Sequence, residues 1–137
     1  VTTLAFDTSA AVPLLVRSHD AHLDVRRHAT GRAWVLTAHS QLETYSVLTR
    51  LPGDARVEPA DAVRLLDAAF GTPVLPDPED VAHLPATLAA AGIAGGAVYD
   101  ALVGLTARTA DVPLLTRDAR ALATYSRLGV TVELVAG

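Results

Sequence analysis

Four acidic residues stand where they could share chemistry. Asp7 directly follows the apolar run Leu4-Ala5-Phe6, and Asp118 follows Leu114-Leu115-Thr116 with only Arg117 between. Glu43 falls in the first turns of the helix expected after Ala33-Trp34-Val35-Leu36. Asp100 falls in the first turns of the helix that opens after Gly95-Gly96. Carboxylates a few ångströms apart raise each other's pKa or require a cation between them. An all-oxygen donor set, in a chain with no cysteine, suits Mg²⁺ or Mn²⁺ rather than Zn²⁺. Such an ion keeps waters, and one of them can attack a phosphodiester. That chemistry needs no protein nucleophile, and no Ser-His-Asp arrangement is evident.

Each acid also has a plainer reading. Asp7 in Asp7-Thr8-Ser9 could form an Asx-turn or a helix cap. Ser40-Gln41-Leu42-Glu43 fits a capping box, in which Glu43 bonds back to the Ser40 backbone. Asp118 before Ala119-Arg120-Ala121 fits an N-cap. Asp100 is harder to dismiss, because it sits between Val98-Tyr99 and Ala101-Leu102-Val103 with no base within four positions. A carboxylate there is either near solvent or neutralised by something the chain does not supply. The case for a site rests on all four acids meeting at one edge. The remaining acids, Glu133 among them, read as solvated faces or caps.

The elements that must position these acids follow from apolar periodicity. Strands are expected at Leu4-Ala5-Phe6, residues 33–36, residues 114–116 and residues 130–135, with a weak one at Val74-Leu75. A helix opens at Ser9 and Ala10 and covers residues 11–17. Ser18 caps a second one ending near Ala29, and Gly31 stops it. Residues 38–51 carry Leu42, Tyr45, Leu48 and Leu51 on one face. Pro59 begins a helix to Phe70, with Val63, Leu66 and Phe70 turned inward. Asp77-Pro78 starts another, which Pro85 should split. Helices are also expected over residues 97–109 and 119–127. Strands alternating with helices imply an α/β fold, a parallel sheet covered on both faces, with ligands at the carboxyl ends of the strands.

The chain has 137 residues, half of them apolar, enough for one domain with a full core. Its net charge is −4, and all 11 bases are Arg. An acidic chain argues against coating nucleic acid with a basic face, but not against an enzyme that clusters its acids around metal. No stretch is apolar and long enough to span a bilayer, and no secretory signal pattern opens the chain. A soluble cytoplasmic protein without a membrane role is expected.

The segments Asp7-Thr8-Ser9-Ala10, Leu42-Glu43-Thr44-Tyr45, Gly96-Ala97-Val98-Tyr99-Asp100-Ala101-Leu102 and Leu114-Leu115-Thr116-Arg117-Asp118 together resemble the PIN domain. In length and order the whole chain is similar to the VapC toxins of bacterial type II toxin–antitoxin systems. The resemblance implies a PIN-like central parallel sheet of four or five strands and a Mg²⁺-dependent endoribonuclease for which Mn²⁺ can substitute. It assigns Asp7 and Asp100 as principal metal ligands and Glu43 and Asp118 as supporting acids. Thr116 resembles the hydroxyl that supports the pocket, and Ser9 the neighbour that steadies Asp7. It also implies a homodimer, a VapB-type antitoxin partner, and a structured RNA target such as tRNA or a ribosomal RNA loop. Gly104, where the family usually has Ala, and Pro85, in a helix usually continuous, depart from the pattern away from the acids.

Other residues near these motifs read less sharply. Arg117 is the candidate phosphate contact, against a plainer reading as an exposed Arg at a helix start. His39 could share a face with Glu43, although a polar first-turn residue is the preferred reading. His19, His22, His28 and His83 read as residues of polar helical faces. Phe6 and Trp34 read as core, and Tyr45 and Tyr125 as core or partner-groove residues. A haloacid-dehalogenase-like phosphatase would want a second Asp at position 9, where this chain has Ser9. A receiver domain would need a Lys, which the chain lacks. The remaining rival is a catalytically inactive PIN fold that only binds protein or RNA.

Overall fold

The computed structural model describes residues 2–136. Its sheet has four parallel strands, β1 (Thr3–Phe6), β2 (Ala33–Leu36), β3 (Leu114–Thr116) and β4 (Val132–Leu134), in the order β2-β1-β3-β4. Phe6 pairs in register with Leu36 on one side and Leu115 on the other, so the strand ends are level where chemistry is expected. Val74 contributes only a bridge to Thr37. The expected weak strand there does not form, because Pro73 and Pro76 flank it and cannot donate to a ladder. The last strand is shorter than the expected residues 130–135.

Side chains alternate along each strand, which divides the core in two. Leu4, Phe6, Leu36 and Leu115 face α1 (Thr8–Leu15), α2 (His22–Ala29) and α4 (Pro59–Ala69), with Phe6 meeting Phe70 and Trp34 edge to face. Ala5 and Leu114 face the other way, toward α6 (Leu84–Ala90), α7 (Ala97–Thr109) and α8 (Leu122–Arg127). Between the two layers runs α3 (Ala38–Thr49), which packs against α1, α4 and α7. Helices therefore cover both faces, as the alternation of elements requires.

Several boundaries differ from expectation. The first helix starts at Thr8, because Asp7 caps it, and ends at Leu15, where Val16 turns to extended backbone. Ser18 caps nothing: α2 begins after Ala21, which makes no side-chain cap bond, and residues 18–21 form turns. Pro85 does split its segment, into α5 (Pro78–Ala82) and α6, but as an early residue of α6 with the break at His83. The segment after Asp118 opens as a 3-10 turn over Ala119–Ala121 before α8 begins. Leu42 and Val63 are 67% and 48% exposed rather than inward; together with Tyr45 and Leu66 they line an open cleft between α3 and α4.

Candidate active site

Asp7 leaves the end of β1 with extended backbone and caps α1. Its amide donates to Leu115 O at 3.0 Å, which locks it to β3. The carboxylate is buried: Oδ1 accepts from Ser9 Oγ at 2.6 Å and from the Ala10 amide at 3.3 Å, and Oδ2 accepts from the Tyr125 hydroxyl at 2.9 Å. Burial pushes its pKa up, against the opposing pull of these donors. The cap reading is thus right, and it coexists with a carboxylate buried at the sheet edge.

Ser9 carries one hydroxyl proton, and the short bond to Asp7 claims it. Thr116 Oγ1 lies 3.2 Å from Ser9 Oγ, and its hydroxyl also supports the Asp7 carboxylate. Ser9 Oγ also accepts from the Arg117 amide at 2.8 Å, and Thr116 Oγ1 accepts from the Asp118 amide at 3.0 Å. The loop after β3 is in this way tied to the Asp7 carboxylate by a chain of hydrogen bonds. Asp118 caps the 3-10 turn through the Arg120 amide at 3.0 Å and lies 3.5 Å from Arg120 Nε. The Nε of Arg117 is buried without a hydrogen-bond partner.

Glu43 does not serve a capping box. The N-cap of α3 is Thr37, whose hydroxyl accepts from the Ser40 amide at 3.1 Å, so Glu43 lies beyond the first turn with its carboxylate half exposed. Thr8 Oγ1 donates to Glu43 Oε1 at 3.4 Å, linking it to the residue beside Asp7. His39 Nε2 lies 3.1 Å from the same oxygen, poorly aligned for a hydrogen bond, and the His39 ring stacks on Tyr99 at 5.6 Å between centroids. His39 is thus a polar first-turn residue, as preferred, and it shares a face with Glu43 as a neighbour of the acids.

Asp100 sits in the first turn of α7 and is half-buried. Its carboxyl is held above the ordinary range first by burial, then by the negative charges of Asp7, Asp118 and Glu43, with His39 opposing. Acids from four separate elements thus feel one another at the carboxyl edge of the sheet. Among the described residues, no Arg or His lies within ion-pairing distance of Asp7 or Asp100. Also among the described residues, no group of three or more His, Asp or Glu side chains is arranged to hold a metal ion.

Sequence reasoning missed Thr8 and the role of Tyr125, whose hydroxyl is 118 residues from its acceptor. Only the requirement that a buried phenol find a partner could have raised it. Glu133, read as solvated, is instead bonded by His28 at 2.6 Å and Arg32 at 2.7 Å, and Arg32 holds its carboxyl below the usual range. Two further histidines are also engaged: His22 Nδ1 lies 2.8 Å from Pro13 O, and His19 Nδ1 accepts from the Ala21 amide.

A parallel sheet in this order, with acids at its carboxyl edge, defines the class, and comparison with known proteins agrees. The PIN domain family model matches residues 4–128. Ribonuclease VapC27 of Mycobacterium tuberculosis is 52% identical over 133 residues, covering 97% of each chain. The sarcin-ricin-loop-cleaving toxin VapC20 of the same organism superposes with a TM-score of 0.69 at 16% identity, over 93% of this chain and 96% of that one. VapBC2 of Rickettsia felis, solved bound to a DNA fragment from its promoter, gives a TM-score of 0.67 at 12% identity, over 98% and 99% of the two chains. The chain belongs to the PIN-domain family and, within it, to the VapC-type toxins.

Proposed function

We propose that this protein is a metal-dependent endoribonuclease, the toxin of a type II toxin–antitoxin pair, that cleaves structured RNA such as tRNA or ribosomal RNA by attack of a metal-activated water on a phosphodiester. The observation that carries the reading is the state of Asp100. Burial and then the charges of three other acids, each from a different element, push its carboxyl up against the pull of His39, and among the described residues no base forms an ion pair with it. A set of oxygen donors short of positive charge fits a hard divalent cation. Mg²⁺ is commonly held by one or two carboxylates and several waters, so the site does not require three side chains already closed on one point.

In this reading Asp7 and Asp100 hold the ion, and Glu43 and Asp118 hold its waters or a second ion. When bound, Mg²⁺ or Mn²⁺ supplies a water of lowered pKa and offsets charge on the scissile phosphate. The hydroxyls of Ser9 and Thr116 keep the Asp7 carboxylate oriented. Arg117, whose Nε lacks a partner, is the cation nearest in sequence for a phosphate oxygen. The names of VapC27, a ribonuclease, and VapC20, a sarcin-ricin-loop-cleaving toxin, support this substrate class.

A VapB-type antitoxin and a homodimer complete the reading. Its support is the neighbour solved as a VapBC pair, together with an apolar groove of about 470 Å³ in which Leu84, Leu88, Ile93, Val98 and Tyr99 take part. The test is cleavage of a structured RNA pool with Mg²⁺ or Mn²⁺. Wild type cleaves, and Asp100→Asn loses at least about 100-fold in rate while its circular dichroism is unchanged. Equal behaviour of wild type and Asp100→Asn would contradict the reading and favour a fold that only binds its partners.

A further inference from the structure

Asp7 is more fully specified than metal ligation alone would demand. A carboxylate offers about four acceptor positions, two on each oxygen. On Oδ1 both are taken, by Ser9 Oγ at 2.6 Å and the Ala10 amide at 3.3 Å. On Oδ2 one is taken, by the Tyr125 hydroxyl at 2.9 Å. The Thr116 hydroxyl also supports the carboxylate, and of the two carboxylate oxygens Oδ2 carries the fewer direct hydrogen bonds.

The tyrosine that fills the third position has been given room to do so. Tyr125 is fully buried, and its ring packs close against the one residue of α7 that has no side chain. A Cβ at Gly104 would stand 2.9 Å from Tyr125 Cδ1, 3.3 Å from its Cε1 and 3.0 Å from Val130 Cγ2, so a methyl there forces the ring to move. This accounts for Gly104, which departs from the usual family residue. Gly104, the Tyr125 ring and Asp7 Oδ2 form one continuous packed line from α7 through α8 to the end of β1.

We infer that Tyr125 is a positioning residue of the acid site: its hydroxyl, seated by Gly104, orients Asp7 so that Oδ2, the oxygen with fewer hydrogen bonds, meets a divalent cation. The inference rests on the reading that the acids hold a cation, and it deepens that reading by assigning a direction of approach and two residues outside the acid set. Phenylalanine keeps the ring and its packing, so Tyr125→Phe removes the hydrogen bond with little change of shape. Gly104→Ala keeps the hydroxyl but displaces it.

The measurement is Mn²⁺ binding by calorimetry, with melting of the metal-free protein in parallel. Tyr125→Phe weakens Mn²⁺ binding by about 10-fold or more, the usual scale for a group that orients a ligand, while the metal-free protein stays folded. Gly104→Ala weakens it in the same direction. The double variant binds no more weakly than Tyr125→Phe, because the hydroxyl that Gly104 seats is already gone. Losses that simply add, or unchanged Mn²⁺ affinity in folded Tyr125→Phe, would overturn the inference while leaving the acid site standing. Failure of the wild type to bind Mn²⁺ would overturn both. A measurement on wild type alone avoids dependence on variant folding: substoichiometric Mn²⁺ broadens the ε ring protons of Tyr125 more than its δ protons. Equal broadening, or none, would count against approach from the Oδ2 side.

Discussion

Asp100 and Asp7 carry the physical burden of the site, and they carry it as a cost when no cation is present. Both have carboxyl pKa values raised in the folded protein, by burial first and, for Asp100, by neighbouring negative charge. A carboxyl whose folded pKa lies above its unfolded value binds its proton more tightly when folded. The favourable contribution is therefore present at low pH and is lost as pH rises through the raised value. Metal-free protein should accordingly recover stability from this pair as pH falls from neutrality toward the ordinary carboxylate range. At neutral pH, metal-free Asp100→Asn should melt above metal-free wild type, with a flatter pH dependence; denaturation scans from the ordinary carboxylate range up to neutrality check this. A variant that melts lower than wild type throughout would show that the charge is already compensated. Glu133 has the opposite sign: its depressed pKa gives stability above the unfolded value that is lost as acid protonates it.

At the scale of elements, α3 shows how a cap decides what a neighbouring acid can do. Thr37 and Ser40 are both good capping residues, and the sequence supports either start. The strand decides between them, because pairing of Leu36 with Phe6 ends β2 immediately before Thr37. With Thr37 as the cap, Glu43 is released toward Thr8 and Asp100. Thr37→Ala should lower stability by about 1 kcal/mol, measurable by urea denaturation; no loss would mean that Ser40 can take over. The strands, the long helices and the carboxyl-edge placement of Asp7, Asp118 and Asp100 were legible, because apolar runs and punctuating Gly and Pro mark them directly. Leu42 and Val63 were misplaced because periodicity reveals an apolar stripe but not what covers it. Tyr125 was rightly read as core, but its bond to Asp7 and the partners of Glu133 were missed because they lie more than a hundred residues away, and no local pattern encodes such a meeting.

For the whole molecule, the sheet order explains why the acids converge. Asp7 and Asp118 leave the ends of adjacent strands β1 and β3, while Glu43 and Asp100 come from α3 and α7, which pack on each other beside them. The hydrogen bonds through Thr116 and Ser9 fix the Asp7 carboxylate and the Asp118 backbone, whereas the carboxylates of Glu43, Asp100 and Asp118 stay partly open to solvent. That division fits a site with a rigid half and an adjustable half, completed by an ion. The most direct measurement is an anomalous difference map from crystals grown with Mn²⁺. The account predicts a peak beside Asp7 Oδ2 on the side facing Asp100, absent in Asp7→Asn crystals. A wild-type map with no peak among Asp7, Glu43, Asp100 and Asp118, or with Mn²⁺ seated only elsewhere, would contradict it.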